Sequence, residues 1–581
     1  MKSYIFVTLA FILAATAASV VKNDAKYIIK DDDSPDTDWW KTAVFYQIYP
    51  RSFMDSDGDG IGDLQGIIQK LHHLQDAGVT ATWLSPIFKS PQVDQGYDIS
   101  DYRDIDPDYG TLDDLKELLE LAKALGIKII LDFVPNHTSD QHEWFQKSVA
   151  KEKGYEDFYV WHDGKVVDGT RVPPNNWLSE FKGSAWEFNE ERQQYYYHEF
   201  AIQQPDLNYS NPKVVEAMKD VLRYWLDFGV DGFRVDAVPY LFEDPEFKDE
   251  PLIDGCTDVT NKNCLDHIYT KDLPPTYDMI YEFREVLDNF TETNKVDTRV
   301  MMTEAYAAIE KQMLYYGNAD GTVKGAHFTF NFGFISSLSK DFTVDDIVNA
   351  IRTWIKNIPD QYTSNWVLGN HDNRRVATRL GRENVDGFNM LTAILPGVMV
   401  TYNGEEIGME DGEVTCEEGY DPQAIKDCST FDQTSRDFER TPFHWDNTPN
   451  AGFTTGTPWL PVSAKAKDTN LADQNVEGVS SHYNVYKQLM EFRKNFQKTF
   501  ALDTTSAIKL TDHVVQVGRY VDKDEFILVF NVGDFEEIVD FYRTKQSYKV
   551  VVTSVNSLYK PGDSVDELTL LPHESVILQG F

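Results

Sequence analysis

Between residues 43 and 134 short apolar runs alternate with amphipathic stretches, and this alternation restricts the fold more than any other feature of the chain. Residues 43–49 are a β-rich apolar run, after which Leu64, Ile67, Ile68, Leu71 and Leu74 recur at helical spacing. A second short apolar run covers residues 81–84. Thr111 with Asp114 forms the start signal of a second helix, whose stripe is Leu115, Leu118, Leu119, Ala122 and Leu125. Residues 127–134 then form an apolar strand run broken only by Lys128 and Asp132. Strand, helix, strand, helix, strand predicts parallel pairing, with strands buried on both faces.

The alternation stops after Thr138. Residues 139–207, rich in aromatic, polar and turn residues, read as a domain inserted after the third strand. It resumes with a helix around residues 214–228 and a strand at 232–235. Further strand candidates lie at 300–303, 327–330, 365–368 and 398–401. Eight strands in an α/β chain predict a closed (β/α)8 TIM barrel, here over residues 39–138 and 208–499. Its last helix carries Val485, Leu489 and Phe492. Beyond residue 500 only short strands appear, as at 514–521 and 525–532, so residues 500–581 are expected to form an antiparallel β domain. A chain of 581 residues has room for these two or three domains.

Residues 1–18 have the layout of a secretory signal: Lys2, an apolar run over 5–15, and small residues Ala15, Ala17 and Ala18 for cleavage. An acidic arm over residues 19–38 follows, and the expected location is extracellular. No later segment is long and apolar enough to suggest a membrane span. Four cysteines allow three pairings. The local pairs Cys256–Cys264 and Cys416–Cys428 are expected, each closing a short loop and adding roughly 2–3 kcal/mol. Sequons occur at Asn136, Asn208 and Asn289; Asn289, in a polar stretch, is the first candidate for a glycan and Asn208 the second. Lys and Arg number 54 against 95 acidic residues, a net charge of −41 without a basic cluster. Nucleic acid and anionic membranes are therefore poor partners, and a neutral substrate is compatible. Nothing in the sequence speaks to oligomeric state.

In a barrel of this type the chemistry gathers at the C-terminal ends of the strands. Strand three ends in Asp132-Phe133-Val134-Pro135-Asn136-His137, strand four in Arg234-Val235-Asp236, strand five in Thr303-Glu304 and strand seven in Asn370-His371-Asp372. Strand side chains alternate, so Arg234 and Asp236 share a face. An ion pair at a barrel mouth costs desolvation, so the pair is either a purely structural bridge or a device that keeps Asp236 ionised, as a nucleophile must be. Glu304, among apolar residues and facing Asp236 and Asp372, is the matching acid. Retaining glycoside hydrolysis needs such a pair of carboxyls about 5–5.5 Å apart.

The segments DFVPNH (132–137), GFRVD (232–236), TEAY (303–306) and NHD (370–372) resemble the four ordered motifs of the α-amylase family of glycoside hydrolases. The insertion after strand three and the β-rich tail resemble that family too, so the likeness spans about residues 39–581. It implies Asp236 as nucleophile, Glu304 as general acid/base and Asp372 as the group that grips the sugar's 2- and 3-hydroxyls. It further implies that Asp98, His137, Arg234, His371 and Arg440 hold the glucose that is cut off. Most of the aromatic rings are expected in the core, with Tyr97, Phe181 and Tyr102 singled out as pocket walls. Segment 204–208 (QPDLN) looks like that of α-glucosidases and oligo-1,6-glucosidases, and segments 39–67 and 96–111 look most like insect maltases. That implies removal of terminal α-1,4-linked glucose from maltose, sucrose and short malto-oligosaccharides. Ala237, directly after the nucleophile, is implied to favour α-1,4 over α-1,6 linkages. A transglycosylase or sucrose isomerase shares these residues; the other alternative is a non-catalytic ectodomain like those of amino-acid transporter heavy chains, which need an N-terminal membrane span and often lack the catalytic carboxylates that this chain has.

The segment DSDGDGIGD (55–63) places oxygen donors at every second position, like the start of an EF-hand loop, but position twelve would be Gly66. Resemblance to related α-glucosidases implies a structural Ca2+ held by the side chains of Asp55, Asp57, Asp59 and Asp63 and the carbonyl of Ile61.

Overall fold

The computed structural model describes residues 35–495, 505–521, 523–545 and 547–581. The signal-like stretch 1–18, most of the arm 19–38 and the boundary at 499/500 lie outside the described residues.

Eight strands form one parallel sheet in the order 6-5-4-3-2-1-8-7: Val44–Ile48, Ala81–Leu84, Lys128–Phe133, Gly232–Val235, Val300–Thr303, Phe328–Thr329, Asn365–Val367 and Val398–Tyr402. All are buried along nearly their whole length, as continuous apolar runs require. The expected (β/α)8 barrel is thus present. Strands six and seven close it through a side chain. Asn365 Nδ2 donates to the Thr329 carbonyl at 2.6 Å, and Asn331 N donates to Asn365 Oδ1 at 2.8 Å.

The helices between the strands start and stop on local signals. Leu112–Leu125 opens on a complete Thr111/Asp114 capping box and ends at Gly126, whose φ of 74° suits glycine. Val344–Asn357 opens on a second box, Thr343/Asp346. Leu64–Asp76 is capped by Asp63, which accepts from Gly66 N.

The insertion carries a three-stranded antiparallel sheet, Trp161–His162, Gln194–Tyr197 and Trp186–Asn189, over a small core of Val160, Trp177, Ala185, Trp186, Tyr195 and Tyr197. The C-terminal part is a six-stranded antiparallel sheet with its own core. It meets the barrel where Phe530 packs edge-on against Phe388 at 5.5 Å. A Cβ at Gly387 would lie 2.4 Å from the Phe530 ring, so only glycine fits there. Both expected disulfides, Cys256–Cys264 and Cys416–Cys428, are formed. Asn289 is exposed on the helix Pro274–Asn294, Asn208 is half-buried with its amide on the Asp157 carbonyl, and Asn136 is buried against Asp206. No helix among the described residues is long and apolar enough to cross a membrane.

Candidate active site

The C-terminal ends of the strands surround a cavity of about 540 Å3. Tyr97, His137, Asp236, Ala237, Glu304, His371 and Asp372 all line it, as does Phe181. Arg234 lies beneath, 2% exposed, and ties the carboxylates together. One terminal nitrogen, Nη1, donates to Asp132 Oδ1 at 2.9 Å and to Asp236 Oδ1 at 2.5 Å; the other, Nη2, lies 3.0 Å from Glu304 Oε2. Glu304 Oε2 also accepts from Ala237 N at 3.0 Å. Among the described residues Glu304 Oε1 takes no protein hydrogen bond.

Asp372 is held from two sides. Arg436 Nη1 donates to its Oδ1 at 3.1 Å and Arg440 Nη2 to the same oxygen at 2.9 Å. His371 bridges Gln47 Nε2 at 2.8 Å and the Tyr97 hydroxyl at 2.6 Å, and Tyr97 donates on to Asp132 at 3.2 Å. His137 Nε2 lies 3.1 Å from the Tyr97 carbonyl. The two histidines and Tyr97 thereby form one rigid wall.

Besides Arg234, two expected sugar contacts, Asp98 and Arg440, and one expected pocket wall, Tyr102, lie off the cavity. Asp98 is fully buried behind the cavity, where it accepts from Ser90 Oγ, Val93 N and Asp94 N at 2.9–3.0 Å and braces its own loop. Left-handed backbone at Gln95 (φ 43°) and Gly96 (φ 100°) reverses the chain between Asp94 and Asp98. Asp94 is therefore the carboxylate that faces the cavity. Arg440 is also fully buried; its Nε donates to the His371 carbonyl at 2.7 Å, so it props Asp372 from behind. Of these two arginines, it is Arg436, four residues earlier, that lines the cavity. Tyr102 donates to the carbonyls of Val134 and His137 at 2.9 and 2.7 Å and fixes the end of strand three rather than the pocket wall.

Arg436 is itself held by a loop that sequence reasoning passed over. Asp421 accepts from Arg436 Nε at 3.1 Å, from Nη2 at 2.7 Å and from the backbone N at 2.7 Å. Asp421 and the cavity-lining Gln423 sit on the loop closed by Cys416–Cys428. The disulfide thus supports the group that positions Arg436 against Asp372 and Asp94.

A family model described as the alpha amylase catalytic domain matches residues 47–501. The chain belongs to the α-amylase family. Maltase 1 of Drosophila virilis is 48% identical over 551 residues, covering 93% of this chain and 87% of that protein. The salivary alpha-glucosidase of Aedes aegypti is 46% identical over 558 residues, covering 93% and 95%. The crystal structure of an alpha-glucosyl transfer enzyme, XgtA, superposes with a TM-score of 0.83 at 33% identity, covering 94% of this chain and 99% of that one.

The electrostatics of this α-amylase-family site depart from expectation at one point. Burial pushes the Asp236 carboxyl well up; Arg234 pulls it down, as expected, but Glu304, Asp132 and Asp372 add to burial and outweigh that pull. Burial likewise lifts Asp132 to about 6 against Arg234. One guanidinium faces three carboxylates, and its charge does not offset the burial of Asp132 and Asp236. Asp372 behaves oppositely. Burial pushes it up, but His371, Arg436 and Arg440 hold it below the usual carboxylate range. Burial pushes His371 well down, so its imidazole is neutral and the two guanidiniums carry the effect. His137, pushed down to about 4 by burial, is neutral as well.

In the acidic loop, Asp55, Asp57 and Asp63 bring carboxylate oxygens within 4.8 Å of one another. Hard oxygen donors at that spacing suit Ca2+. Asp59 stands outside this group; it is exposed, and its Oδ1 accepts from Ile61 N at 2.7 Å.

Proposed function

We propose that this protein is a secreted, retaining α-glucosidase that removes terminal α-1,4-linked glucose from maltose, sucrose and short malto-oligosaccharides. The observation that carries the reading is Asp236 and Glu304 bound to the two ends of one guanidinium at the cavity floor. Sharing Arg234 favours the close spacing of retaining enzymes, about 5–5.5 Å, over the wider gap that admits a water in inverting ones. The similarity to insect proteins named as a maltase and an alpha-glucosidase supplies the substrate class. The signal-like start and two disulfides favour an oxidising, extracellular setting.

In this reading Asp372, ionised and doubly clamped, and Asp94 accept from glucose hydroxyls, Arg436 donates to them, and His371 walls the pocket. Asp236 attacks the anomeric carbon. Glu304, fixed through Oε2, gives a proton from Oε1 to the departing oxygen as the glycosidic C–O bond breaks, and then takes a proton from the water that displaces Asp236 from the anomeric carbon. Two inversions retain configuration, so α-glucose must be the first product. NMR of maltose hydrolysis tests this, and β-glucose as the initial anomer would overturn it. Product analysis on sucrose and maltose separates hydrolysis from the transfer chemistry of XgtA: free glucose favours the former, and new disaccharides the latter.

Linkage preference turns on Ala237, which lines the cavity with φ 47° and ψ 35°. A second ring joined by an α-1,4 bond lies close to this wall, whereas an α-1,6 bond swings it away. Ala237→Val should lower the maltose-to-isomaltose ratio of kcat/KM by about ten- to two-hundred-fold. A β-branched side chain on left-handed backbone is strained, so both activities fall and the ratio is the meaningful quantity. An unchanged ratio would remove Ala237 from specificity.

We further propose that Asp55, Asp57 and Asp63 hold a structural Ca2+, which would tie the 55–63 loop to the first turn of Leu64–Asp76. A ligand bound to the folded state alone adds stability by mass action, about 2.7 kcal/mol at a hundredfold excess over Kd. Chelation should therefore lower the Tm of the wild type and leave Asp57→Ala unaffected. Unchanged wild-type melting together with no calcium by elemental analysis would refute the site.

A further inference from the structure

Between strand four and the helix Pro274–Asn294 the chain runs over the surface, and residues 251–261 are exposed except for Cys256. The Cys256–Cys264 disulfide closes this loop. From it Lys262 turns inward, its side chain 10% exposed. An ammonium taken out of water needs partners, and they come from the inserted domain. Lys262 Nζ donates to the Leu178 carbonyl at 2.9 Å and to the carboxylate of Glu199, a fully buried residue. Burial pushes the ammonium down, but Glu199, Glu180 and Glu250 hold it charged. Glu199 also accepts from the Tyr197 hydroxyl, and its backbone carbonyl accepts from Glu180 N at 2.8 Å.

Lys262 is not among the residues that line the catalytic cavity, yet both of its anchors stand next to residues that do. Phe200 follows Glu199, and Glu180 and Phe181 follow closely on Leu178; all three line the cavity. The Arg436 guanidinium lies 5.2 Å from the centre of the Phe181 ring, and the His137 ring 5.2 Å from that of Phe200. Phe181 and Phe200 meet edge-on at 5.8 Å. We propose that Lys262 is a positioning residue for substrate binding, a latch that ties the loop after strand four to the inserted domain and so holds the Phe181 and Phe200 wall against Arg436 and His137. The inference deepens the α-glucosidase reading and rests on it for the substrate. Asp236 and Glu304 are fixed separately, by Arg234, so the latch bears on how the sugar is held rather than on the bond-breaking step.

The test compares wild type, Lys262→Met, Lys262→Arg, Glu199→Gln and the double variant Lys262→Met/Glu199→Gln on maltose. Lys262→Met should raise KM about tenfold and leave kcat within about threefold, the pattern of binding lost equally from ground and transition states. Lys262→Arg keeps the charge and the donors and should stay within about threefold of the wild-type KM. Glu199→Gln should raise KM as well, and the double variant should be no worse than the worse single one, because one pair cannot be lost twice. Hydrogen exchange reads the latch without substrate: in Lys262→Met, amides at 178–181 and 199–201 should exchange at least about tenfold faster while those of the barrel strands hold. Glu199→Gln changes almost no volume, so it carries both measurements should Lys262→Met not fold. A wild-type KM in the variants, a fall confined to kcat, or unchanged exchange in the two segments overturns the latch. A wild type that does not cleave maltose overturns the α-glucosidase reading instead, and the exchange result then decides the latch by itself.

Discussion

Asp236→Asn should fold normally and lose roughly 10⁴- to 10⁶-fold in kcat, the scale of removing a catalytic nucleophile. Asn has nearly the same size and keeps an oxygen for Arg234 Nη1, so the floor of the cavity stays packed. What it loses is the negative charge that attacks the anomeric carbon. The substitution also removes one of three carboxylates crowded on a single guanidinium, and burial pushes that carboxyl well up in the native enzyme. Melting temperature should therefore hold or rise while activity collapses, and this divergence separates a chemical role from a structural one. Activity within tenfold of wild type would overturn the nucleophile assignment. So would a parallel loss of stability and rate, because a merely structural ion pair would produce it.

The barrel was legible because buried parallel strands leave continuous apolar runs and the helices between them leave a 3.6-residue stripe. The carboxylates at strand ends were legible for a related reason: a charge at the tip of an apolar strand stands out. Residues on loops were harder. Asp94 and Asp98 are four residues apart, and no periodicity tells which faces the cavity; the left-handed pair Gln95 and Gly96 decides it. Arg436 and Arg440 pose the same problem, settled by Asp421 drawing Arg436 to the cavity side. Asp421 is remote in sequence from every strand-end motif, and only the fold of the disulfide-closed loop brings it there. Barrel closure through Asn365 was hidden too, since a lone Asn at the start of a strand looks like a turn residue. The upward shift at Asp236 is not legible in its motif, which shows Arg234 alone, because burial and three carboxylates brought by the fold, Glu304, Asp132 and Asp372, act on it together.

Arg234→Met should produce the largest loss of stability, about 3–5 kcal/mol near neutral pH, because it leaves buried charges without their partner. Met fills a similar length but supplies no charge and no donor. Arg234 donates to Asp132 and Asp236 and contacts Glu304, and it is a downward influence on the first two carboxyls. Without it, Asp132 and Asp236 rise further above their unfolded values, near 4. An acid whose folded pKa is raised binds a proton in the native state that the unfolded chain has already released. Stability then falls as pH climbs from about 4 through the folded pKa, and levels off above it. The wild type already has this slope from Asp132 at about 6 and from Glu243 and Glu405 at about 8. The variant should steepen it. The difference in Tm between wild type and Arg234→Met should be small at pH 4–5, where the raised Asp132 and Asp236 carboxyls hold their protons in both, and should widen steadily toward pH 8. Calorimetry across that range checks the sign directly. A gap that is constant with pH would mean that Arg234 contributes packing and hydrogen bonds alone, and that the charges around it are not what the guanidinium holds in place.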